Sequence, residues 1–223
     1  MEYVAWLQNA DIYHGERKIL GDVSMSLSRA EFVYLIGKTG SGKSSLLKTL
    51  WGEIPLLHGK GKVAGTDLTH LDQDRVRALR RKLGIVFQEF YLFEDWTVWD
   101  NLQFVLEATG WPDAEQRKKR IEQVLKDVGL SNTEKSIAGQ LSGGEQQRLG
   151  IARAILNTPE IIIADEPTGN LDPDTSVELL RLLRSLAVQY NTAIFMATHA
   201  YAMIDRFPGR VYKCEGGKVE ELD

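Results

Sequence analysis

FVYLIGKTGSGKSSLLKTLWG, residues 32–52, decides how this chain is read. It opens on FVYLI (32–36), an unbroken apolar run with the composition of a strand buried on both faces. SLLKTLWG (45–52) reads as a helix, and between the two lies GKTGSGKS (37–44), which fits the phosphate-loop pattern GxxxxGK[ST]. The glycines let successive backbone N–H groups curl around phosphate oxygens. Lys43 adds a point charge near the β and γ phosphates, and Ser44 offers a hydroxyl to Mg²⁺. A glycine-rich structural turn is the competing reading, and the flanking strand and helix weigh against it.

Upstream, Val4 to Leu7 and Ile19 to Leu27 are β-rich. Downstream, KGKVAG (60–65) reads as a turn and a short strand that closes an antiparallel layer. Asp74 to Lys82 reads as a basic helix, GIVFQ (84–88) as a strand, and most of 97–130 as helical with weak breaks near Gly110, Pro112 and Gly129. The last third alternates. Ile161 to Ala164 is a buried strand and 174–190 an amphipathic helix, with Val177, Leu180, Leu183 and Ala187 on one face and Asp172-Pro173 as its N-cap and first turn. AIFMAT (193–198) is another buried strand, and RVYKC (210–214) the last one before Gly216-Gly217. Strands alternating with helices predict an α/β fold with a parallel sheet and ligands at the strand C-terminal ends.

With 223 residues, the chain is one large domain or two small ones, with ample material for a core. Apolar residues make up 43% and charged residues 26%, values that argue against disorder or a membrane-embedded chain. The balance of 27 Lys+Arg against 31 Asp+Glu gives a net charge of −4, which argues against a non-specific nucleic-acid binder. Its apolar runs fall far short of the roughly 20 residues of a transmembrane helix. The opening MEYVAWLQNADIYHGER lacks the basic n-region of a secretory signal, so the expected location is cytoplasmic. Cys214 can form no internal disulfide, and His14, His58, His70 and His199 are scattered rather than clustered for a metal.

IIIADE (161–166) places two carboxylates directly after a buried strand. Asp165 suits Mg²⁺, reached directly or through water, and Glu166 suits polarising an attacking water. Between the two motifs lies LSGGEQQRLGIARAIL (141–156), in which Ser142, Gly143 and Gly144 lead into a helix whose N-terminal N–H groups are expected to be free for an anion.

At this point the chain resembles the nucleotide-binding subunits of ATP-binding cassette (ABC) transporters along essentially all its length. In family order it has an aromatic near the start (Tyr13), the phosphate loop, a glutamine after a strand (Gln88), LSGGE (141–145), ADE (164–166), GNLD (169–172) and a histidine after a strand (His199). The resemblance implies an α/β P-loop NTPase core of RecA type, with a mainly parallel sheet, an N-terminal antiparallel β subdomain and an α-helical signature subdomain. Residues 1–223 would form a single ATP-binding domain with the helical subdomain at about 89–158. It also implies site roles. Gly37, Lys38, Thr39, Gly40, Ser41, Gly42, Lys43, Ser44 and Ser45 would hold the phosphates, and Tyr13 would stack on adenine. Ser44, Gln88 and Asp165 would serve Mg²⁺, with Gln88 also sensing a membrane subunit. Glu166, His199, Gln88 and Lys43 would be catalytic. Ser142, Gly143, Gly144 and Glu145 would face the ATP of a second protomer in a homodimer, with Asp172 tying the two sites together. The family often has Asp after the switch histidine; here it is Ala200.

The 97 residues from Ser44 to Leu141 leave room for a small helical subdomain but not for the long insertions of the DNA-repair relatives. RVRALRRK (75–82) and RKKR (117–120) then read as solvated helix faces rather than nucleic-acid sites. FQEFYLFEDWTVWDNLQF (87–104) is unusually aromatic. It reads partly as core and partly as a groove, near Gln88 to Trp99, for a short cytoplasmic helix of a membrane subunit. Within the family, EPTGNLD (166–172), QLSGGEQQRLGIARAI (140–155) and the aromatic segment look most like the cell-division branch, with the lipoprotein-release and macrolide-export branches as rivals. A peripheral place on the inner face of the plasma membrane follows from that resemblance. A metabolite kinase would have no use for LSGGE, and a nucleotide-regulated scaffold would not need Glu166 and His199.

Overall fold

A computed structural model describes residues 3–222; Met1, Glu2 and Asp223, which belong to the opening segment and the domain range read above, lie outside the described residues. The chain opens with the hairpin β1 (Tyr3–His14) and β2 (Arg17–Ser28), then β3 (Phe32–Ile36), the glycine loop and α1 (Lys43–Leu50). After β4 (His58–Val63) and β5 (Thr66–Asp67), α2 (Gln73–Arg81) leads to β6 (Leu83–Val86). A helical block follows: α3 (Val98–Ala108), α4 (Ala114–Asp127) and α5 (Gly143–Ile155). Strands and helices then alternate through β7 (Ile161–Asp165), α6 (Pro173–Gln189), β8 (Ala193–Thr198), α7 (Tyr201–Arg206), β9 (Arg210–Glu215) and β10 (Lys218–Leu222).

Two sheets result. A four-stranded antiparallel sheet has the order β2-β1-β4-β5, and a six-stranded sheet the order β10-β9-β3-β8-β7-β6, parallel except for β10. Alternation along the central strands feeds two cores. Val33, Leu35, Ile161, Ile163, Phe195 and Ala197 pack with α1 and the antiparallel sheet. Their sequence neighbours Tyr34, Ile36, Ile162, Ala164, Ile194 and Met196 pack with α3 to α6. These strands are therefore apolar up to the last residues of β7 and β8, Asp165 and Thr198, which explains the unbroken runs in the sequence.

The helix boundaries have local causes. Thr97, Asp113 and Asp172 cap α3, α4 and α6 by accepting from the backbone N–H of Asp100, Gln116 and Thr175 respectively. Between α3 and α4, Gly110 (φ +93) and the Trp111-Pro112 pair break the helical run expected over 97–130. RVYKC is not the last strand: the chain turns at Gly216-Gly217 and returns as β10, an edge strand whose charged sequence KVEEL hides its pairing with β9. GIVFQ stops being a strand at Val86, so Gln88 stands in a loop.

Candidate functional site

Sheet register builds the site. Ile36 pairs with Thr198, and Ala197 pairs with Asp165, so β3, β8 and β7 end level with one another. Val86 of β6 pairs with Ala164, bringing the loop after β6 to the same edge. Gly37, His199 and Glu166 directly follow the ends of β3, β8 and β7, and Gln88 stands two residues beyond the end of β6. A cleft of about 510 Å³ opens there, lined by Thr39, Ser44, Gln88, Asp165, Glu166 and His199 among others.

The glycine loop is shaped by close approaches. Gly37 has φ +156, and a Cβ there would lie 2.4 Å from the Cys214 carbonyl oxygen and 2.6 Å from Ser41 Oγ. Gly42, the N-cap of α1, has φ +110, and a Cβ would meet Leu20 at 2.9 Å. With glycine at the cap, no side chain occupies the first N–H groups of α1, and its first turn holds no acid. Such an uncapped helix start fits phosphate. Lys43 is 5% exposed and donates to the carbonyls of Gly37 (2.8 Å) and Lys38 (3.3 Å). Its Nζ also lies 3.3 Å from Glu166 Oε1.

Glu166 adopts φ +49, a left-handed conformation uncommon for a residue with a side chain, held by its N–H bond to the Ala197 carbonyl at 3.0 Å. Its other carboxylate oxygen lies 2.7 Å from His199 Nδ1. A single carboxylate thus stands between the lysine of the glycine loop and the histidine after β8. Ala200, where the family often has Asp, donates its backbone N–H to Thr198 Oγ1 (3.0 Å).

Asp165 differs from its neighbour. Burial pushes its carboxyl above the usual aspartate range, opposed by a hydrogen bond with Ser44 and reinforced by the charge of Glu166. No group of three or more His, Cys, Asp or Glu side chains gathers for a metal among the described residues. One desolvated carboxyl beside one hydroxyl, open to a phosphate cleft, fits a small hard cation that takes its other ligands from phosphate and water.

Other expected residues stand apart from this cleft. Tyr13 lines a hollow of about 380 Å³ with Lys48, Ile54, Pro55 and Leu57, its ring 5.7 Å from that of His58. α1 joins the two regions, with Lys43 at one end and Lys48 beyond it. Ser45 sits on the first turn of α1. Residues 142–145 do not line the cleft at all.

The start of α5 is also less open than expected. Ser142 Oγ accepts from the Glu145 N–H, and the Glu145 carboxylate accepts from the Ser142 N–H at 2.9 Å, a reciprocal capping box. The Ser142 hydroxyl, donating to the same carboxylate at 2.7 Å, and then the Ser142 N–H hold the Glu145 carboxyl below its usual range. Only the glycine N–H groups of this turn remain without a side-chain cap. Gly144 faces α6, where a Cβ would come within 2.8 Å of Thr175 Cγ2. Asp172 spends its carboxylate on the cap of α6, accepting from the N–H groups of Asp174 and Thr175.

Two neighbours of the site carry no local sequence signal. The Cys214 thiol donates to the Ser41 carbonyl (3.0 Å), bracing the glycine loop from β9 across 173 positions. Arg153 of α5, its guanidinium desolvated, donates to the carbonyls of Phe90 and Tyr91.

The aromatic segment divides. Phe93, Trp96 and Phe104 form an exposed cluster, Phe93 stacked on Trp96 at 4.3 Å and Phe104 edge-on to both. Asp95, Asp100 and Glu107 rim a surface groove beside it. Trp99 instead packs against the second core, and Phe87 against the first.

The ABC transporter family description matches residues 20–169. The cell division ATP-binding protein FtsE of Streptococcus pneumoniae is 41% identical over 207 residues, covering 93% of this chain and 89% of that one. The methionine import ATP-binding protein MetN of Nocardia farcinica is 39% identical over 93% of this chain, which spans 62% of its length. Among solved structures, a dimeric ATP-binding cassette in a post-hydrolysis state, bound to ADP and Pi, superposes with a TM-score of 0.84 at 32% identity over 98% of each chain. At such identity along nearly its whole length, the chain belongs to the ABC transporter family, and it is one of that family's ATP-hydrolysing subunits.

Proposed function

We propose that this ATPase dimerises head to tail around two ATP molecules and couples their hydrolysis to a separate membrane subunit. The observation that carries the reading is the convergence of Lys43 and His199 on the single carboxylate of Glu166 at the mouth of the cleft. Water attacks the γ phosphorus in line with the bond to the bridging oxygen, which breaks and leaves with ADP. Glu166 orients that water and accepts its proton, while His199 fixes the carboxylate. Lys43 neutralises charge on the β and γ oxygens once its loop carbonyls release it to the phosphate. Ser44 and Asp165, with Gln88 alongside, would hold Mg²⁺, which supplies further charge neutralisation at the same oxygens. Tyr13 takes the adenine, and the glycine N–H groups at the start of α5 face the ATP of the other protomer. Residues 1–223 act as one ATP-binding domain, of which about 89–158 is the helical subdomain.

The membrane subunit is taken to be FtsX-like, contacting the segment from Gln88 to Trp99, so that the complex acts in cell division by controlling peptidoglycan hydrolysis. Similarity to FtsE across 93% of the chain supports this. The similarity to MetN favours a second reading, a transporter ATPase serving uptake, and the LolD-type and MacB-type ATPases share GNLD and LSGGEQQR. No helix among the described residues is long and apolar enough to cross a membrane. A peripheral place on the inner face of the plasma membrane is part of the proposed pairing with that subunit.

Glu166→Gln tests both levels. It should bind ATP, lose at least about 100-fold in turnover and accumulate as an ATP-bound dimer. Purified from gently solubilised membranes with ATP present, it should carry an FtsX-like protein identified by mass spectrometry. Near-normal turnover would remove Glu166 from its role, and importer or efflux components in the purified complex would overturn the cell-division reading.

A further inference from the structure

The loop after β6, residues 87–91, carries Gln88 over the cleft, and α5 holds its backbone. Gln147 Nε2 donates to the Phe87 carbonyl at 3.2 Å, and Arg153 reaches the carbonyls of Phe90 and Tyr91. Neither touches the Gln88 side chain. Asn170 does. Gln88 Nε2 donates to Asn170 Oδ1 at 3.2 Å, and Asn170 Nδ2 donates back to the Gln88 carbonyl at 3.1 Å. The preceding residue makes the approach feasible: a Cβ on Gly169 would fall 2.9 Å from Gln88 Nε2 and 3.1 Å from its Cδ. Thus GNLD contributes a bare backbone position and a carboxamide to a loop 82 residues away, besides the Asp172 cap.

We propose that Asn170 is a positioning residue for ATP turnover: its reciprocal amide pair with Gln88 fixes the Gln88 carboxamide over the cleft. This inference rests on the reading of Gln88 as a residue that works on the metal and the water. A free glutamine samples many rotamers; Asn170 Oδ1 accepts from the Gln88 side-chain amide while Asn170 Nδ2 anchors the Gln88 backbone carbonyl, and the two bonds together select among them. Asparagine can satisfy both positions at once. Aspartate keeps the acceptor for Gln88 Nε2 but cannot donate to the Gln88 carbonyl, and alanine offers neither. The clamp also ties the loop entering α6 to the opening turn of the aromatic segment.

The test compares Asn170→Ala, Asn170→Asp, Gln88→Ala and the double variant Gln88→Ala/Asn170→Ala in the full chain, each checked for a normal melting temperature. In nucleotide-free protein, Asn170→Ala should speed amide hydrogen exchange in the peptide covering 86–92 while leaving α1 unchanged. In steady state it should lower kcat about tenfold with the ATP KM within about threefold, Asn170→Asp falling between it and the parent. The double variant should be no slower than Gln88→Ala by more than about twofold, because Asn170 acts through Gln88. Parental kcat and exchange in Asn170→Ala would overturn the clamp, as would a double variant whose loss is the product of the two single losses. Parental turnover in Gln88→Ala would instead overturn the reading of Gln88, a result distinct from failure of Asn170.

Discussion

Asp165 and Glu166 are adjacent acids with different surroundings. Glu166 has Lys43 and the His199 ring within reach, whereas burial dominates at Asp165 and raises its carboxyl. A carboxyl raised on folding favours the native state at low pH, and that contribution is lost as pH rises through the folded value. Asp165→Asn should therefore raise the melting temperature of the nucleotide-free protein by more at neutral pH than in acid at or below the ordinary aspartate range, while lowering turnover at least about tenfold. Melting curves under the two conditions check the first claim, and an unchanged or lower transition at neutral pH would contradict it. Gly37 and Gly40 form a second contrast. A Cβ on Gly37 collides with the backbone oxygen of Cys214, but on Gly40 it meets nothing within 4 Å and only φ +80 opposes it. Gly37→Ala should weaken ATP binding by about tenfold or more, whereas Gly40→Ala should lose only the several-fold expected of a strain near 1 kcal/mol. Titration calorimetry separates them, and equal losses would mean the Cys214 contact does not shape the loop.

Among the elements, those whose sequence matched their burial were readable. β3, β7 and β8 are apolar up to the site-end residues Asp165 and Thr198 because both faces are covered, and α6 shows its stripe and its Asp172-Pro173 start. β10 was hidden because an edge strand pairs through its backbone while its side chains stay charged. α7, six residues without a side-chain cap, has no start signal to read. The site was legible where chemistry is local, as in GKTGSGKS and ADE, but not where partners meet only in three dimensions, as Cys214 meets Ser41 and Arg153 meets Phe90. The aromatic segment lay between these cases: its composition announced burial and exposure together, and only packing assigns Trp99 to the core and Trp96 to the surface. That assignment is testable. Trp99→Ala should cost about 2 kcal/mol or more in urea unfolding, whereas Trp96→Asp should leave stability and basal turnover unchanged while abolishing capture of the membrane subunit. Loss of fold in Trp96→Asp would return that residue to the core.

At the scale of the whole molecule, the ends of β3, β8, β7 and β6 frame the cleft, and the start of α5 is not among the groups lining it. Under the proposed head-to-tail arrangement the missing part comes from a second copy, and in a two-fold dimer each copy lends what the other lacks. That proposal makes turnover a property of the dimer, so the specific rate should rise in proportion to protein concentration below the dimer dissociation constant and level off above it. Ser142 is exposed in the single chain and makes its hydrogen bonds with Glu145. Ser142→Arg should accordingly bind ATP at parental affinity, stay monomeric in sedimentation velocity with ATP, and show no turnover at any concentration. Glu166→Gln, run beside it, should sediment as a dimer with ATP and as a monomer without. A specific rate independent of concentration while the parent sediments as a monomer would show that one chain completes its own site, and the head-to-tail arrangement would fall.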